Sequence, residues 1–400
     1  MSKIRHITLP AGFVAAGVKA GIKASGKEDV AIIVGRGEVS AALMTTTNQV
    51  VGAPVEWCRK VLPKGFGRIR GIVINSGCSN VCTGERGRRD AEAMAARTAR
   101  RVGGKAREIL VASTGIIGRH LPMAKINAGI DAAAAVLGVD HDASALRAIM
   151  TTDTREKSAV VRFAAGRRTV TVAGIVKGAG MIAPSLATMI CVVATDAEIA
   201  PALLSRVFRS AAGTTLNAVT IDSDESTSDT AVVMASGASG ARIAAGSPIC
   251  RKFAAALEEV LRRLAMAMAR DGEGATRLVE IHVAGAASAA DAKVAAMSVA
   301  NSPLFKCAVH GGDPNWGRVL AALGKSPAKV DPRRTTVRIG GVKVFARGQP
   351  AKCDLRAVEK HLKEETVVVR ADLGIGRGRF TAYTCDLSRE YVAINADYHT

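Results

Sequence analysis

Two hydrophobic periodicities alternate along this chain, and their alternation restricts it to folds that mix strands with helices. Helical spacing is clearest over 252–270, where apolar residues recur at steps of three and four before Asp271-Gly272. Short apolar runs typical of buried strands lie at 30–34, 71–74, 170–176, 278–283 and 367–371. The sequence therefore predicts an α/β fold, or an α+β fold of mixed layers.

Two further helices are indicated by their ends. Residues 90–102 are rich in Ala and Arg and stop at Gly103-Gly104. Ser288 is a good N-cap for a helix that continues through Ala300. Both helices lie next to predicted strands, which fits a layered fold.

Size and composition exclude several classes of protein. The chain has 400 residues, enough for two domains or one large layered domain. Its 48% hydrophobic residues exclude a disordered tail protein. Apolar runs such as 189–194 are far shorter than the roughly 20 residues that cross a bilayer, and no apolar signal core follows Met1. We therefore expect a cytoplasmic protein without a membrane span.

Positive charge is in large excess, with 55 Lys and Arg against 35 Asp and Glu. The basic pairs are spread along the chain, and aromatic residues, at 3%, are too few to form stacking platforms for single strands. We favour a solvated basic surface that attracts anionic metabolites. A nucleic-acid-binding protein remains the alternative.

Cysteines and histidines form no metal-binding pattern. The nearest cysteine pair, Cys78 and Cys82, has the spacing C-x3-C and no second pair, and the seven histidines are scattered. The sequence predicts reduced thiols and no metal site.

The segment Lys177-Gly-Ala-Gly-Met-Ile-Ala-Pro-Ser-Leu-Ala-Thr-Met189 is the most unusual one. Its glycines and Pro184 predict a sharp turn that places the Thr188 hydroxyl at the start of an apolar run. That hydroxyl either satisfies its own backbone at a strand start or acts as a nucleophile. The second reading requires a cut between Ala187 and Thr188, because the freed α-amine, with a pKa of about 7.7–8.0, can then accept the hydroxyl proton.

Three other segments combine glycines with polar side chains, at 75–84, 112–118 and 271–276, and residues 150–154 form a dense hydroxyl cluster. Ala112-Ser-Thr-Gly-Ile-Ile-Gly118 could present backbone N–H groups to an oxyanion, and the loop at 75–84 could hold an anion at a helix N-terminus. Ordinary structural turns explain both segments as well.

Together these segments resemble the ornithine acetyltransferase (glutamate N-acetyltransferase) family. The stretch from Lys177 to Met189 is similar to the family's autocleavage segment. Further motifs follow in the family's order, from Gly12-Phe-Val-Ala-Ala-Gly-Val-Lys19 through His310-Gly-Gly-Asp-Pro-Asn-Trp-Gly-Arg318 to Ile394-Asn-Ala-Asp-Tyr-His-Thr400. The resemblance covers nearly the whole chain, and this ordered set is far more specific than any one motif.

The resemblance implies a self-processing fold and a precursor that cuts itself. Cleavage between Ala187 and Thr188 would give an α chain, 1–187, and a β chain, 188–400, that begins with the nucleophile. The acetyl group of N2-acetyl-L-ornithine would pass to Thr188, ornithine would leave, and L-glutamate would take the acetyl group in a ping-pong cycle of arginine biosynthesis.

The resemblance also assigns roles to individual residues. Thr114 and Gly115 would donate to the oxyanion. Lys177 suits a substrate carboxylate and Glu273 an ammonium group. The implied substrate contacts are Thr151, Lys177, Thr188, Glu273, Asn395 and Thr400.

Assembly and co-substrates follow from the same resemblance. It implies an α2β2 heterotetramer of the two cleavage products, with no metal and no organic cofactor. It leaves open whether acetyl-CoA is also accepted as a donor. Departures from the family's pattern, at Cys78-Ser79 and Ser185-Leu186, leave the nucleophile and oxyanion positions intact. An amidohydrolase or aminopeptidase of the same self-cleaving fold remains an alternative, with water resolving the acyl intermediate.

Overall fold

The computed structural model describes residues 5–183 and 189–397. The strands in this part of the chain are β1 Phe13–Val18, β2 Val30–Thr45, β3 Phe66–Cys78, β4 Ile109–Ile116, β5 Ser158–Ala165, β6 Arg168–Lys177, β7 Ile190–Thr195, β8 Glu198–Ile199, β9 Thr230–Ala235, β10 Arg242–Ile243, β11 Leu278–Ala286, β12 Thr336–Ile339, β13 Val342–Ala346, β14 Gln349–Pro350, β15 Thr366–Asp372 and β16 Gly378–Cys385.

Helices alternate with these strands. They are α1 Ala53–Val61, α2 Gly84–Val102, α3 Met123–Ala135, α4 Asp142–Ile149, α5 Pro201–Thr214, α6 Pro248–Arg270, α7 Ala289–Ala300, α8 Pro303–Gly311, α9 Trp316–Gly324, α10 Leu355–Leu362 and α11 Arg389–Asp397, with short 3-10 turns at Ala106–Glu108 and Leu216–Ala218.

The larger sheet has eight strands and carries the cavity described below. Its strands lie in the order β4-β3-β2-β9-β7-β6-β5, with β1 paired to β2. β3 runs parallel to β4 and β7 parallel to β9, whereas β6 and β7 are antiparallel. The parallel pairs bring the ends of neighbouring strands to the same edge of the sheet.

The middle of this sheet is buried on both faces, which explains its continuous apolar sequence. In β7, Ile190 and Val192 pack in one hydrophobic cluster, while Cys191 and Val193 pack in another. The second cluster includes the buried side of α6, with Phe253 and Leu257 among its members. Helices therefore cover strands that alternate between two cores.

A smaller sheet of six strands forms a second core. Its order is β14-β13-β12-β15-β11-β16. Val279 and Ile281 of β11 pack with Ala295 of α7 and Val319 of α9. Since β16 leads into α11, this sheet fixes the start of the C-terminal helix.

The predicted mixture of strands and helices is confirmed, although several elements extend beyond their predicted ends. The strand predicted at 71–74 is part of the longer β3, and the helix predicted from 252 starts at Pro248 because Ser247 caps it, accepting from the Cys250 N–H at 3.1 Å. Ser288 caps α7 as predicted, accepting from the Asp291 N–H. In the described ranges, no helix combines the length and apolar character that a membrane span requires.

The larger sheet takes strands from both sides of the predicted cleavage point. β6 precedes that point and pairs with β7, which follows it, from Lys177↔Ile190 to Val172↔Thr195. β2 likewise pairs with β9. The segments 1–187 and 188–400 are thus interleaved in one sheet.

Candidate active site

A small polar cavity lies where the ends of β4 and β6 meet α11. Its volume is about 120 Å³. Six residues singled out from the sequence line it, contributed by distant parts of the chain: Thr114, Gly115, Thr151, Lys177, Glu273 and Asn395. The remaining predicted positions, Ala187, Thr188 and Thr400, lie outside the described residues.

Thr114 and Gly115 lie near the C-terminal end of strand β4, not in a loop that follows it. The parallel register places Gly115 of β4 beside Gly77 of β3. Gly115 has φ +124°, and a Cβ built there would lie 2.4 Å from the Gly77 carbonyl carbon. Only glycine fits such a close approach of two backbones. The two glycines therefore let the ends of β3 and β4 lie close together at the cavity.

Lys177 orients the Thr114 hydroxyl. Its Nζ donates to Thr114 Oγ1 at 3.3 Å, and both side chains are buried. An ammonium group only donates, so the Thr114 oxygen is the acceptor in this bond. The hydroxyl hydrogen is then available to a second acceptor, which is what an oxyanion donor requires.

Lys177 lies in an unusually charged interior for a lysine. Burial is the strongest influence and lowers its pKa, whereas the nearby carboxylates of Asp153, Asp229 and Glu273 raise it. The ammonium of Lys157 lowers the Lys177 pKa further. The charge of Lys177 therefore depends on a balance among its neighbours.

A buried carboxylate–ammonium–carboxylate bridge lies behind the cavity. Lys157 Nζ donates to Asp153 Oδ1 at 2.6 Å and also forms an ion pair with Asp271. Asp153 in turn accepts from the N–H of Thr151 at 2.9 Å and from the N–H of Gly178 at 2.7 Å. Burial would raise the Asp153 pKa, but Lys177, Lys157 and the Gly178 N–H together lower it to about 2.

Glu273 lines the same cavity as Lys177 and raises the Lys177 pKa by its charge. Its backbone N–H donates to Ala179 O at 2.8 Å, and its carboxylate accepts from Asn395 Nδ2 at 2.9 Å. A Cβ at Gly180 would lie 2.3 Å from Glu273 Oε2, so this glycine provides the space for the carboxylate. Asn395 of α11 thus brings the C-terminal helix to the wall of this cavity.

The described residues on either side of 184–188 donate to two carboxyl groups, of the half-buried Asp222 and the buried Asp229. Before it, the N–H groups of Met181 and Ile182 donate to Asp222 at 2.6 and 2.8 Å. After it, the Met189 N–H donates to Asp229 Oδ1 at 2.7 Å, and Met189 O accepts from the Thr230 N–H at 3.1 Å. The residue that follows Thr188 is therefore held by two hydrogen bonds.

Burial raises the pKa of Asp229 well above its usual range, even though the Met189 N–H and Lys177 lower it. Its second oxygen, Oδ2, makes no hydrogen bond within the described chain. A carboxyl group in this position favours its neutral form.

Several groups around the cavity were not identified from the sequence. Asp153 lies within the hydroxyl-rich segment 150–154, and Asp271 precedes Glu273 in the segment 271–276, so position gave a signal for both. The sequence contains no comparable signal for Lys157 or Asp229. A single charged residue in a polar stretch is typical of an exposed position, and only the fold shows that these two are buried.

A larger cavity of about 670 Å³ adjoins the first and shares Thr151 with it. Lys23, Lys27 and Arg119 line this second cavity. Burial, the strongest influence, lowers the pKa of Lys23 to about 8. The nearness of Lys23 to Lys177 contributes to the same shift. Carboxylates of Glu28, Asp153 and Glu156 also line this cavity, so its walls carry charges of both signs.

In residues 5–183 and 189–397, no group of three or more His, Cys, Asp or Glu side chains is arranged to hold a metal ion. All eight cysteines are described and are free thiols, as the sequence predicts.

Comparison with known proteins identifies close relatives over the whole chain. The ArgJ family model matches residues 14–400. The arginine biosynthesis bifunctional protein ArgJ of Symbiobacterium thermophilum is 47% identical, over 98% of each chain. The protein of the same name from Geobacter sulfurreducens is 46% identical, over 97% of this chain and 99% of its own.

A solved structure is similar to part of the chain. The crystal structure of arginine biosynthesis bifunctional protein argJ from Bacillus halodurans matches with a TM-score of 0.50 and 36% identity. The match covers 51% of this chain but 96% of the solved one. The solved chain is therefore about half as long as this one.

Proposed function

This chain belongs to the ArgJ family of arginine biosynthesis proteins, and from that premise we propose how its cavity works. It transfers the acetyl group of N2-acetyl-L-ornithine to L-glutamate and is thus a glutamate N-acetyltransferase. The observation that carries the role of the cavity is the convergence of Thr114, Lys177, Glu273 and Asn395 on one small space from four distant parts of the sequence. The paired charges of Lys177 and Glu273 suit an amino acid, which carries both a carboxylate and an ammonium group.

The proposed reaction uses Thr188 as its nucleophile. After a cut between Ala187 and Thr188, the neutral α-amine accepts the hydroxyl proton, and the hydroxyl oxygen attacks the acetyl carbonyl. Thr114 and Gly115 donate to the oxyanion, and the α-amine returns the proton to the leaving amine of ornithine. The amine of glutamate then attacks acetyl-Thr188 and restores the free hydroxyl.

Two observations support the cut. Met189, which follows the proposed nucleophile Thr188, is held by hydrogen bonds to Asp229 and Thr230. The solved relative from Bacillus halodurans matches only about half of this chain while nearly all of that solved chain is matched. A chain of about this half-length is what cleavage near residue 187 would produce.

Assembly and location are further proposals. The two products of the cut remain together because β9 and β7 of the second lie between β2 and β6 of the first in one sheet. We propose that two such pairs form an α2β2 heterotetramer. The free state of all eight cysteines supports a reducing compartment such as the cytoplasm. The mechanism proposed above uses no metal and no organic cofactor.

Acetyl-CoA is proposed as a second donor. The adjoining cavity of about 670 Å³ carries Lys23, Lys27 and Arg119, cations that suit the phosphate groups of a large acyl donor. Glutamate incubated with acetyl-CoA alone should then yield N-acetylglutamate, and Arg119→Ala should raise the KM for acetyl-CoA more than that for acetylornithine. No product from acetyl-CoA would rule out this second donor and leave the first reaction untouched.

The decisive experiment combines the mass of the denatured protein with a transfer assay. Wild type should yield two chains that meet at Thr188, and it should form N-acetylglutamate only when acetylornithine and glutamate are both present. Thr188→Ala should remain one chain and transfer nothing. Release of free acetate at the same rate without glutamate would identify a hydrolase, and an active Thr188→Ala would show that the nucleophile is a different residue.

A further inference from the structure

Lys157 occupies a buried position that the acetyl-transfer mechanism above does not use. The residue is 2% exposed and lies between two carboxylates whose side chains, in Asp153 and Asp271, are 0% and 3% exposed. Burying charges in this way costs desolvation energy that a hydrophobic cluster of the same volume would avoid. Stability alone therefore gives a weak account of the bridge.

Each carboxylate of the bridge holds a different wall of the cavity. Asp153 accepts the N–H groups of Thr151 and of Gly178, which follows Lys177 directly. Asp271 accepts the Thr154 N–H at 3.1 Å and starts the turn that leads to Glu273. Lys157 is the ion that joins the two carboxylates.

The bridge also crosses the proposed cleavage point. Asp153 and Lys157 precede residue 187, whereas Asp271 follows residue 188. The walls supplied by the two halves are thus joined by an ionic contact that does not depend on the peptide bond between them.

We propose that Lys157 is a positioning residue for acetyl transfer, which acts through its two carboxylate partners on the substrate-binding lysine. The proposal rests on the proposed role of Lys177 as the cation that meets the substrate carboxylate. Lys157 holds the walls together and also opposes, by its own charge, the proton on Lys177.

The second effect has a definite sign because Lys157 and Lys177 carry like charges. The carboxylates of Asp153 and Glu273 favour the protonated form of Lys177, and the ammonium groups of Lys157 and Lys23 oppose it. Asp229 adds little to this balance, because burial favours its neutral form. Removing Lys157 should strengthen the hold of Lys177 on its proton, and removing the charge of Asp153 should weaken it.

Two substitutions break the same ion pair with opposite electrostatic effects, and together they provide the test. The measurement is kcat/KM for glutamate against pH, in which loss of the Lys177 proton gives the alkaline limb. In Lys157→Met the limb should move to higher pH, and in Asp153→Asn to lower pH, each by about one unit. In the double variant the two effects should largely cancel, so that its limb lies near that of wild type.

Asp131→Asn is the matched control, because it removes a carboxylate that pairs with Arg97 and Arg101 away from the cavity. Its profile should match wild type. If Lys157→Met does not fold, Asp153→Asn and the double variant still test the proposal. The alkaline limb must move to lower pH in Asp153→Asn and return toward the wild-type pH in the double variant.

A merely structural bridge would lower kcat/KM in both single variants and leave the limb in place, and that result overturns the proposal. Failure of the underlying function would be visible separately. A wild-type enzyme without an alkaline limb would contradict the role of Lys177 itself, and one without transfer would contradict the proposed reaction.

Discussion

Gly115 is the cavity residue at which the backbones of β3 and β4 approach closely. Replacement by Ala would place a methyl group 2.4 Å from the Gly77 carbonyl carbon, at φ +124°. The strand ends must then move apart and displace the proposed oxyanion donors. We expect Gly115→Ala to lower kcat on the order of a hundredfold, as measured by N-acetylglutamate formation.

Gly118→Ala controls for backbone strain without crowding. Gly118 has φ +80°, and no atom lies within 4 Å of its built Cβ. The Gly118→Ala variant should lose about 1–3 kcal/mol of unfolding free energy and keep most of its transfer activity. Equal loss of activity in the two variants would mean that strain, rather than the close approach at Gly77, explains the effect.

Asp229 permits a prediction about the start of β7. Because burial raises its pKa, Asn resembles the neutral carboxyl group and can still accept the Met189 N–H. Asp229→Asn should therefore preserve both cleavage and transfer. Asp229→Ala leaves the Met189 N–H without its acceptor and should cost about 1–3 kcal/mol of unfolding free energy.

Urea unfolding and the mass of the denatured protein measure the two effects at Asp229. If Asp229→Asn were as defective as Asp229→Ala, the negative charge would be the essential property, and the neutral carboxyl would be ruled out.

Single residues were predictable from the sequence where they belonged to a motif. Thr114, Lys177 and Glu273 are recognisable from their glycine-rich surroundings and from the family resemblance, and the structure places them around one cavity. Lys157 was not predictable, because its function depends on Asp271, a residue 114 positions away along the chain. A contact of that range leaves no local pattern.

Among the elements, α6 permits a quantitative comparison of packing with capping. Phe253 is 0% exposed in the main core, and Ser247 caps the helix through the Cys250 N–H. Phe253→Ala should lower the unfolding free energy by about 3–5 kcal/mol, and Ser247→Ala by about 1 kcal/mol. The urea midpoint of each variant measures the loss.

The exposed Leu304 provides the control for α6, since 64% of it is accessible to solvent. Leu304→Ala should change stability by no more than about 0.5 kcal/mol. A loss at Phe253 as small as that at Leu304 would show that α6 contributes little to the core.

Elements were predicted well where periodicity was strong and less well where glycines interrupted it. The helix over 252–270 was identified from its apolar spacing, with an error of four residues at its start. The sequence indicates either an oxyanion-binding segment or an ordinary turn at 112–118, and in the structure β4 continues through Ile116. Pairing with β3 keeps Thr114 and Gly115 in the sheet, and that pairing is a long-range contact.

For the whole molecule, the ion pairs of Lys157 with Asp153 and Asp271 predict that the unfolding free energy depends on pH in the acid range. Asp153 has a folded pKa of about 2, below its unfolded value of about 3.9. Its stabilising contribution is therefore complete above the unfolded pKa and is lost as the pH falls toward 2. The difference in unfolding free energy between wild type and Asp153→Asn should shrink by about 2 kcal/mol from pH 6 to pH 2.

Urea titrations at several pH values measure the acid dependence. Asp131→Asn is an unsuitable control here, because the pKa of Asp131 is also lowered by its arginine partners. Ser247→Ala serves instead, since the residue does not titrate. A constant difference between wild type and Asp153→Asn across this range would contradict the low pKa of Asp153.

The interleaved sheet has a consequence for the lifetime of the protein. One polypeptide folds the sheet, but after the proposed cut two polypeptides share it, with β6 on one and β7 on the other. Once unfolded, the cut form must find its partner by diffusion, so recovery depends on concentration and becomes slow on dilution. The uncut Thr188→Ala chain keeps its halves tethered and can refold alone. The cut would thus make unfolding effectively irreversible at low concentration, and unfolded enzyme would have to be replaced by new synthesis.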